Sequence, residues 1–287
     1  MKLIAIDLDG TLLNSQNEIP LENIQAIQAA QLKVIEVVIA TGRAYFDAVQ
    51  LMKTAGLTAW VIGANGATIH DPEGTCVQAI SVSKEDADEI LAYFTEQGFY
   101  YEVFSEHMLF SPNSGRELLQ IEMDRILTAN PDADEKEMKE AAERQFSQEP
   151  FQFVSSYKEI LEKTDHYYNL LAFSFDDDKL KEAWDRYVDR DALTLTASAS
   201  HVFDIMHRDV SKGNAVQKLA NQFDVPQEKI MAIGDNFNDI SMFEIAGTSV
   251  AMGNAPAGVK EKAMVVTLEN NKHGVAHIIQ KKIEPAE

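Results

Sequence analysis

The stretch Lys2-Leu3-Ile4-Ala5-Ile6-Asp7-Leu8-Asp9-Gly10-Thr11 decides how this chain folds. Lys2 to Ile6 is a short apolar run that stops at two acids and a glycine, the pattern of a fully buried strand breaking into a turn. Residues two apart on a strand face the same side, so Asp7 and Asp9 are expected to point into one crevice beyond its carboxyl end. Ligands of wound α/β sheets bind at that edge. Gly10 lets the chain turn sharply and lets a ligand approach the backbone. Two carboxylates so placed can hold a divalent cation while one attacks and the other moves a proton. Glu18 stands where a calcium loop beginning at Asp7 needs its last ligand, but Leu12 occupies that loop's glycine position, and such a loop follows a helix.

Working outward, the spacing predicts a helix over Leu21 to Gln31, a strand over Val34 to Ala40 ending in Thr41-Gly42-Arg43, a helix over 44 to 54 and a strand over Ala59 to Ile62. Asn65-Gly66 reads as a hairpin turn. The same texture returns late, with a helix from Lys212 to Phe223, a strand from Ile230 to Ile233 ending in Gly234-Asp235, a helix from Asp239 to Ala246, and short strands at 250 to 252 and 265 to 266. Strands alternating with helices predict an α/β fold with a doubly wound parallel sheet.

Between these halves the composition shifts. Residues 83 to 206 hold 18 of the 24 aromatic residues and 28 acids against 12 bases, so they carry −16 of the net charge of −21. Helices are expected over Glu85 to Gln97, Gly115 to Leu127, Glu135 to Phe146 and Lys179 to Val188, with strands near Phe99 to Phe104, Tyr168 to Phe175 and Leu193 to Ala197. This predicts an α+β domain at 83–206 inserted into a core made of 1–82 and 207–287. The acidic run Asp132 to Glu143 reads as a solvated helix face.

The acidity repels nucleic acid and anionic membranes. A small anionic substrate is repelled as well unless a metal ion or a few placed cations reverse the field locally. Cys76 is the one cysteine, which excludes an intramolecular disulfide or a cysteine zinc site; it is expected to be a small buried side chain. The apolar run before Asp7 is too short for a signal-peptide core and no later run is long enough to span a membrane, so a cytoplasmic location is the expectation. No Walker loop, Gly-x-Ser-x-Gly elbow or His-Glu-x-x-His occurs.

A second acidic cluster, Gly234-Asp235-Asn236-Phe237-Asn238-Asp239, again follows an apolar run. If both strands lie in one parallel sheet, Asp235 converges on Asp7 and Asp9, and three carboxylates there call for a hard cation such as Mg²⁺. An Asp helix cap on a βα turn is the structural alternative. Thr41-Gly42 offers a hydroxyl and free N–H groups at a helix start. Lys212 opens a helix, against the dipole, which suggests an anionic neighbour.

Taken together, Asp7-x-Asp9-Gly10-Thr11, Thr41-Gly42-Arg43, Lys212 and Gly234-Asp235-x-x-Asn238-Asp239 resemble the four motifs of the haloacid dehalogenase (HAD) superfamily of phosphohydrolases. An insertion between the second and third motifs is similar to the cap of the Cof-type subgroup, class IIB, and the sequence looks closest to its Bacillus-type members. The resemblance implies a Rossmann-like core and a Mg²⁺-dependent phosphatase. Asp7 would be the nucleophile that becomes an aspartyl phosphate, and Asp9 the acid and base. Asp7, the Asp9 carbonyl and Asp235 would hold Mg²⁺. Thr41, Gly42, Lys212 and Asn238 would bind phosphate, with Asp239 supporting the site from behind. Asp9 also separates the chain from ion-pumping ATPases, which carry Thr there. The partner implied is a small phosphorylated metabolite, either a sugar phosphate or 5-amino-6-(5-phospho-D-ribitylamino)uracil, whose ring would find stacking partners in 99–104 or 151–157. A metabolite sensor and a phosphomutase are the alternatives. The usual Asp-Gly-Val-Ala near the end of Cof proteins is His273-Gly274-Val275-Ala276 here.

Overall fold

A computed structural model describes residues 1–130, 134–146, 150–199 and 201–283. The chain divides into two compact units, Met1–Ala79 with Val210–Glu287, and Ile80–Asp209. The second is slightly longer than the expected insertion because Val82 N donates to Tyr167 O and Arg208 N to Ala192 O, which ties both ends of the segment into its own fold.

In the first unit an eight-stranded sheet runs, edge to edge, Val265–Val266, Thr248–Ala251, Ile230–Gly234, Leu3–Ile6, Glu36–Ala40, Trp60–Gly63, Thr68–His70 and Cys76–Ala79. The first six strands are parallel and the last two antiparallel, so the sheet is mixed where a parallel one was expected. The three-residue strand Thr68–His70 is too short to show a period, which is why it escapes a reading of pattern. Leu3–Ile6 is central, with Ile6 paired to both Ile233 and Ile39.

Both faces of the inner strands of this sheet are dry, which accounts for the unbroken apolar runs. On one face Ile4, Ile6, Ile39 and Ile233 pack against Ile27, Met52 and Ile278 of three helices; on the other Leu3, Ala5, Val38 and Ala232 pack against Val216, Leu219 and Phe243. Two local expectations fail. Val34 is exposed with φ 60°, so the second strand starts at Glu36. Cys76 is exposed, because its strand is the sheet edge.

The second unit is a six-stranded sheet in the order Leu193–Ala199, Val202–His207, Asn169–Phe173, Tyr100–Phe104, Leu109–Pro112, Phe151–Val154, antiparallel except for its last pair. Helices Lys84–Glu96, Tyr157–Lys163 and Asp177–Tyr187 supply Phe94, Ile160 and Tyr187 to an aromatic core on one face. Most of the aromatic excess is core: Phe99, Tyr100, Tyr101 and Phe104 are buried, whereas Phe153 is exposed and stacks on Phe151. The acidic helix runs Glu135–Phe146, with Met138 and Ala142 buried and its acids outward; Asp132 lies outside the described residues. The strand Val202–His207 was unreadable because buried Asp204 interrupts its apolar pattern.

Glu102 is fully buried on this sheet, its Oε1 accepting from Tyr100 Oη at 2.6 Å. Burial, reinforced by Asp204, lifts its carboxyl from 4.5 to about 7, against the pull of Tyr100, Gln145 and Arg116. A carboxyl raised on folding carries no penalty below its unfolded pKa and the full penalty above its folded one. Stability is therefore lost as pH rises from 4.5 to about 7. Relative to the wild type, Glu102→Gln should gain on the order of 3 kcal/mol between about pH 4 and about pH 8, read from urea unfolding followed by near-UV circular dichroism.

Candidate active site

Parallel strands bring the motifs to one edge of the first unit's sheet. The strands on the two sides of Leu3–Ile6 belong to opposite ends of the chain, so the strand order reverses there and opens a crevice at the carboxyl ends. Asp7 follows Ile6 and its N–H donates to Ile233 O at 2.9 Å, carrying the ladder one residue into the crevice beside Gly234-Asp235. Gly10 has φ 72°, and a Cβ there would lie 2.3 Å from Asp235 Oδ2, so glycine alone lets Asp235 come in. Thr11 Oγ1 then donates to Asp235 Oδ1 at 2.9 Å.

Lys212 is the first residue of the helix Lys212–Gln222, whose N-terminus is capped by Ser211. Its fully buried ammonium donates to Asp7 Oδ1 and Asp239 Oδ1, each at 2.6 Å. The other oxygen of Asp239 accepts from the N–H groups of Asp235 and Asn236, at 2.8 and 2.9 Å. Asp239 is thus saturated by protein donors and orients both the lysine and the Asp235 turn.

Oxygens of Asp7, Asp235 and Asp239 lie within 4.8 Å of one another. Burial first, then repulsion from Asp239, pushes the Asp7 carboxyl well above its usual range in spite of Lys212. The same two causes push Asp235 up to about 7. Burial opposes the Lys212 charge, yet Asp239 and Asp7 hold its pKa above the ordinary lysine value. One ammonium thus faces three crowded carboxylates, and a hard divalent cation fits this all-oxygen donor set.

Strand geometry ends at Ile6, and Asp9 lies inside the turn Leu8–Leu12, so two-residue alternation does not set its direction. Its half-exposed carboxylate is gripped by the Arg43 fork, Nε to Oδ2 at 2.7 Å and Nη2 to Oδ1 at 2.6 Å, while Arg43 Nη1 donates to Asp47 at 2.6 Å. Burial works against the Arg43 charge, but Asp9 and Asp47 raise its pKa above the guanidinium norm.

Thr41 is buried at the end of its strand and its Oγ1 accepts from Arg43 N at 3.1 Å, leaving its own hydrogen to donate. Asn238 Nδ2 donates to Asn65 Oδ1 at 3.0 Å. Asn65 is a site residue that a reading as a hairpin turn passes over. Asn254, whose Nδ2 donates to Gly10 O at 2.8 Å and lies 3.5 Å from Asp235 Oδ2, is another. Only the Asn-Gly doublet after a strand signals the first, and nothing in local pattern signals the second.

Residues 4–279 match the family described as haloacid dehalogenase-like hydrolase. The chain belongs to that family. It is similar to Phosphatase YwpJ of Bacillus subtilis, 48% identical over 98% of this chain and 99% of the relative. It is also similar to the 5-amino-6-(5-phospho-D-ribitylamino)uracil phosphatase YwtE of the same organism, 38% identical over 97% of each chain. A solved haloacid dehalogenase-like hydrolase from B. subtilis superimposes with a TM-score of 0.87 at 48% identity, covering 98% of this chain and 99% of that one. Within the HAD family the chain is a phosphoric monoester hydrolase. Among the described residues no helix is long and apolar enough to cross a membrane.

Removing the Lys212 charge leaves crowded carboxylates without their cation. Lys212→Met should cost about 3 kcal/mol or more in metal-free buffer at neutral pH, and less in acid where the carboxyls are protonated, measured by chemical denaturation.

Proposed function

We propose that this HAD-family phosphatase hydrolyses a small phosphorylated metabolite with Asp7 as nucleophile and Mg²⁺ as cofactor. The observation that carries the reading is the buried Asp7 carboxylate at the reversal point of the sheet, held by Lys212 and crowded by Asp235. An Asp7 oxygen attacks phosphorus as the ester P–O bond breaks, giving an aspartyl phosphate and an alkoxide that takes its proton from Asp9. Water, losing a proton to the Asp9 carboxylate, then attacks phosphorus and releases inorganic phosphate and free Asp7. Arg43 sets the resting direction of the Asp9 carboxylate.

Asp7, Asp235 and the Asp9 carbonyl would hold Mg²⁺, whose charge offsets that of the carboxylates and of the transferring phosphoryl group. Lys212 keeps Asp7 oriented, and Thr41 with the Gly42 N–H supplies neutral donors for phosphoryl oxygens, with Asn238 beside them. Asp239, its oxygens already engaged, supports Lys212 and Asp235. Positioning and charge neutralisation are most of what phosphoryl transfer needs.

The substrate class is a phosphorylated metabolite of modest size, and the relative named for the ribitylaminouracil phosphate makes that compound the first to try. Asp7→Asn should lower turnover of an aryl phosphate by at least about 10³-fold, and chelation by EDTA should abolish it until Mg²⁺ is restored. Substantial activity in either case overturns the corresponding assignment. A screen of phosphorylated metabolites, read as inorganic phosphate released, ranks the substrates.

A further inference from the structure

We propose that the Asn65 side chain is a further phosphate ligand, donating through Nδ2 to a non-bridging phosphoryl oxygen; this rests on the reading of the Asp7 crevice as the phosphoryl site. Asn65 is 2% exposed, and its Nδ2 has no hydrogen-bond partner among the described residues. A buried amide donor left unmade is costly, so native proteins retain few of them. The acceptor half of the same amide is engaged: Asn238 Nδ2 donates to Asn65 Oδ1 at 3.0 Å, which fixes the orientation that leaves Nδ2 open.

The amide lies across the Thr41-Gly42 segment. A Cβ on Gly42 would sit 3.2 Å from Asn65 Oδ1 and 3.6 Å from Nδ2, so the open donor is beside the start of the Gly42-Arg43 turn. The main chain is built to hold it there. Ala64 and Asn65 both have left-handed backbone, φ 47° and 55°, pinned by Ala64 N to Arg43 O at 2.8 Å and Asn65 N to Thr41 O at 3.0 Å. Alanine in that region is strained and persists only where its surroundings over-determine it. Gly66, φ 111°, presses on Ser211, since a Cβ there would lie 2.3 Å from Ser211 O. One short loop therefore touches the Thr41 turn, the Lys212 helix start and the Asn238 turn.

Asparagine is also a common left-handed turn residue. That preference explains φ at position 65 but not a buried, half-engaged amide, because glycine serves the turn equally well. A neutral N–H donor beside the Thr41-Gly42 segment suits an oxyanion, and a carboxylate in its place would repel one.

The test compares the wild type with Asn65→Gly, which keeps the backbone and deletes the amide, and Asn65→Asp, which keeps the shape and reverses the polarity. Binding of inorganic phosphate in saturating Mg²⁺ is measured by isothermal titration calorimetry, with the melting temperature and the kcat and KM on an aryl phosphate. Asn65→Gly should weaken phosphate binding about 10-fold and Asn65→Asp about 100-fold, with native melting retained. Phosphate affinity equal to wild type in either folded variant, or a fall in melting temperature with affinity unchanged, assigns Asn65 to the turn alone and overturns the proposal. Asn65→Asp carries the test if the glycine variant fails to fold. Turnover that survives Asp7→Asn defeats the nucleophile assignment separately, because the phosphate affinities are read without turnover.

Discussion

The Lys212 ammonium, buried between the carboxylates of Asp7 and Asp239, is the interaction on which the rest of the first unit depends. A buried cation is tolerated only when its partners are close and themselves satisfied. Here each partner is 2.6 Å away, and Asp239 turns its second oxygen to the main chain of Asp235 and Asn236. One hydrogen-bonded set therefore fixes a helix start, a strand end and a turn, joining residues 205 positions apart. Close backbone packing makes this possible: a Cβ on Gly213 would lie 2.2 Å from Ser241 O, and one on Gly234 would lie 2.4 Å from the Asp239 carboxyl.

The sheet supplies the opposing demand. Its central strand is dry on both faces and delivers Asp7 into a buried crevice, where burial and repulsion from Asp239 raise the Asp7 and Asp235 carboxyls above their usual range. This resolves the conflict raised by the net charge of −21, since 83–206 carries −16 and the rest of the chain only −5. The acids that remain near the crevice form a cluster that could hold a divalent cation, and the donors proposed for the phosphoryl group, Thr41, Gly42 and Asn238, are neutral.

Local pattern carried much of this fold. The runs at 3–6, 36–40, 60–63 and 230–234 are legible because burial on both faces demands unbroken apolar residues, and the helices between them because their apolar residues repeat at helical spacing. Thr68–His70 was not legible because three residues show no period, and Cys76–Ala79 because it lies at an edge where water replaces half the contacts. Val202–His207 was hidden by Asp204, whose side chain accepts from Asn169 Nδ2 inside the sheet, a partnership 35 positions away that no window can see. Asp9 lies three residues past Ile6, in a turn with its own geometry, so strand alternation cannot set its direction.

The sequence by itself determined the chemistry available: carboxylates after two apolar runs, a hydroxyl and a glycine after a third, and a lysine opening a helix, in an order that matches one hydrolase family. It determined the wound α/β core as well, because apolar periodicity follows directly from which faces are dry. Only the tertiary structure decided which groups meet. Parallel pairing put Asp7 beside Asp235, the Arg43 fork set the direction of the Asp9 carboxylate, and the strained loop at 64–66 brought the Asn65 amide against Gly42. Side-chain direction beyond the end of a strand is set by partners distant in the chain, and local spacing has no information about them.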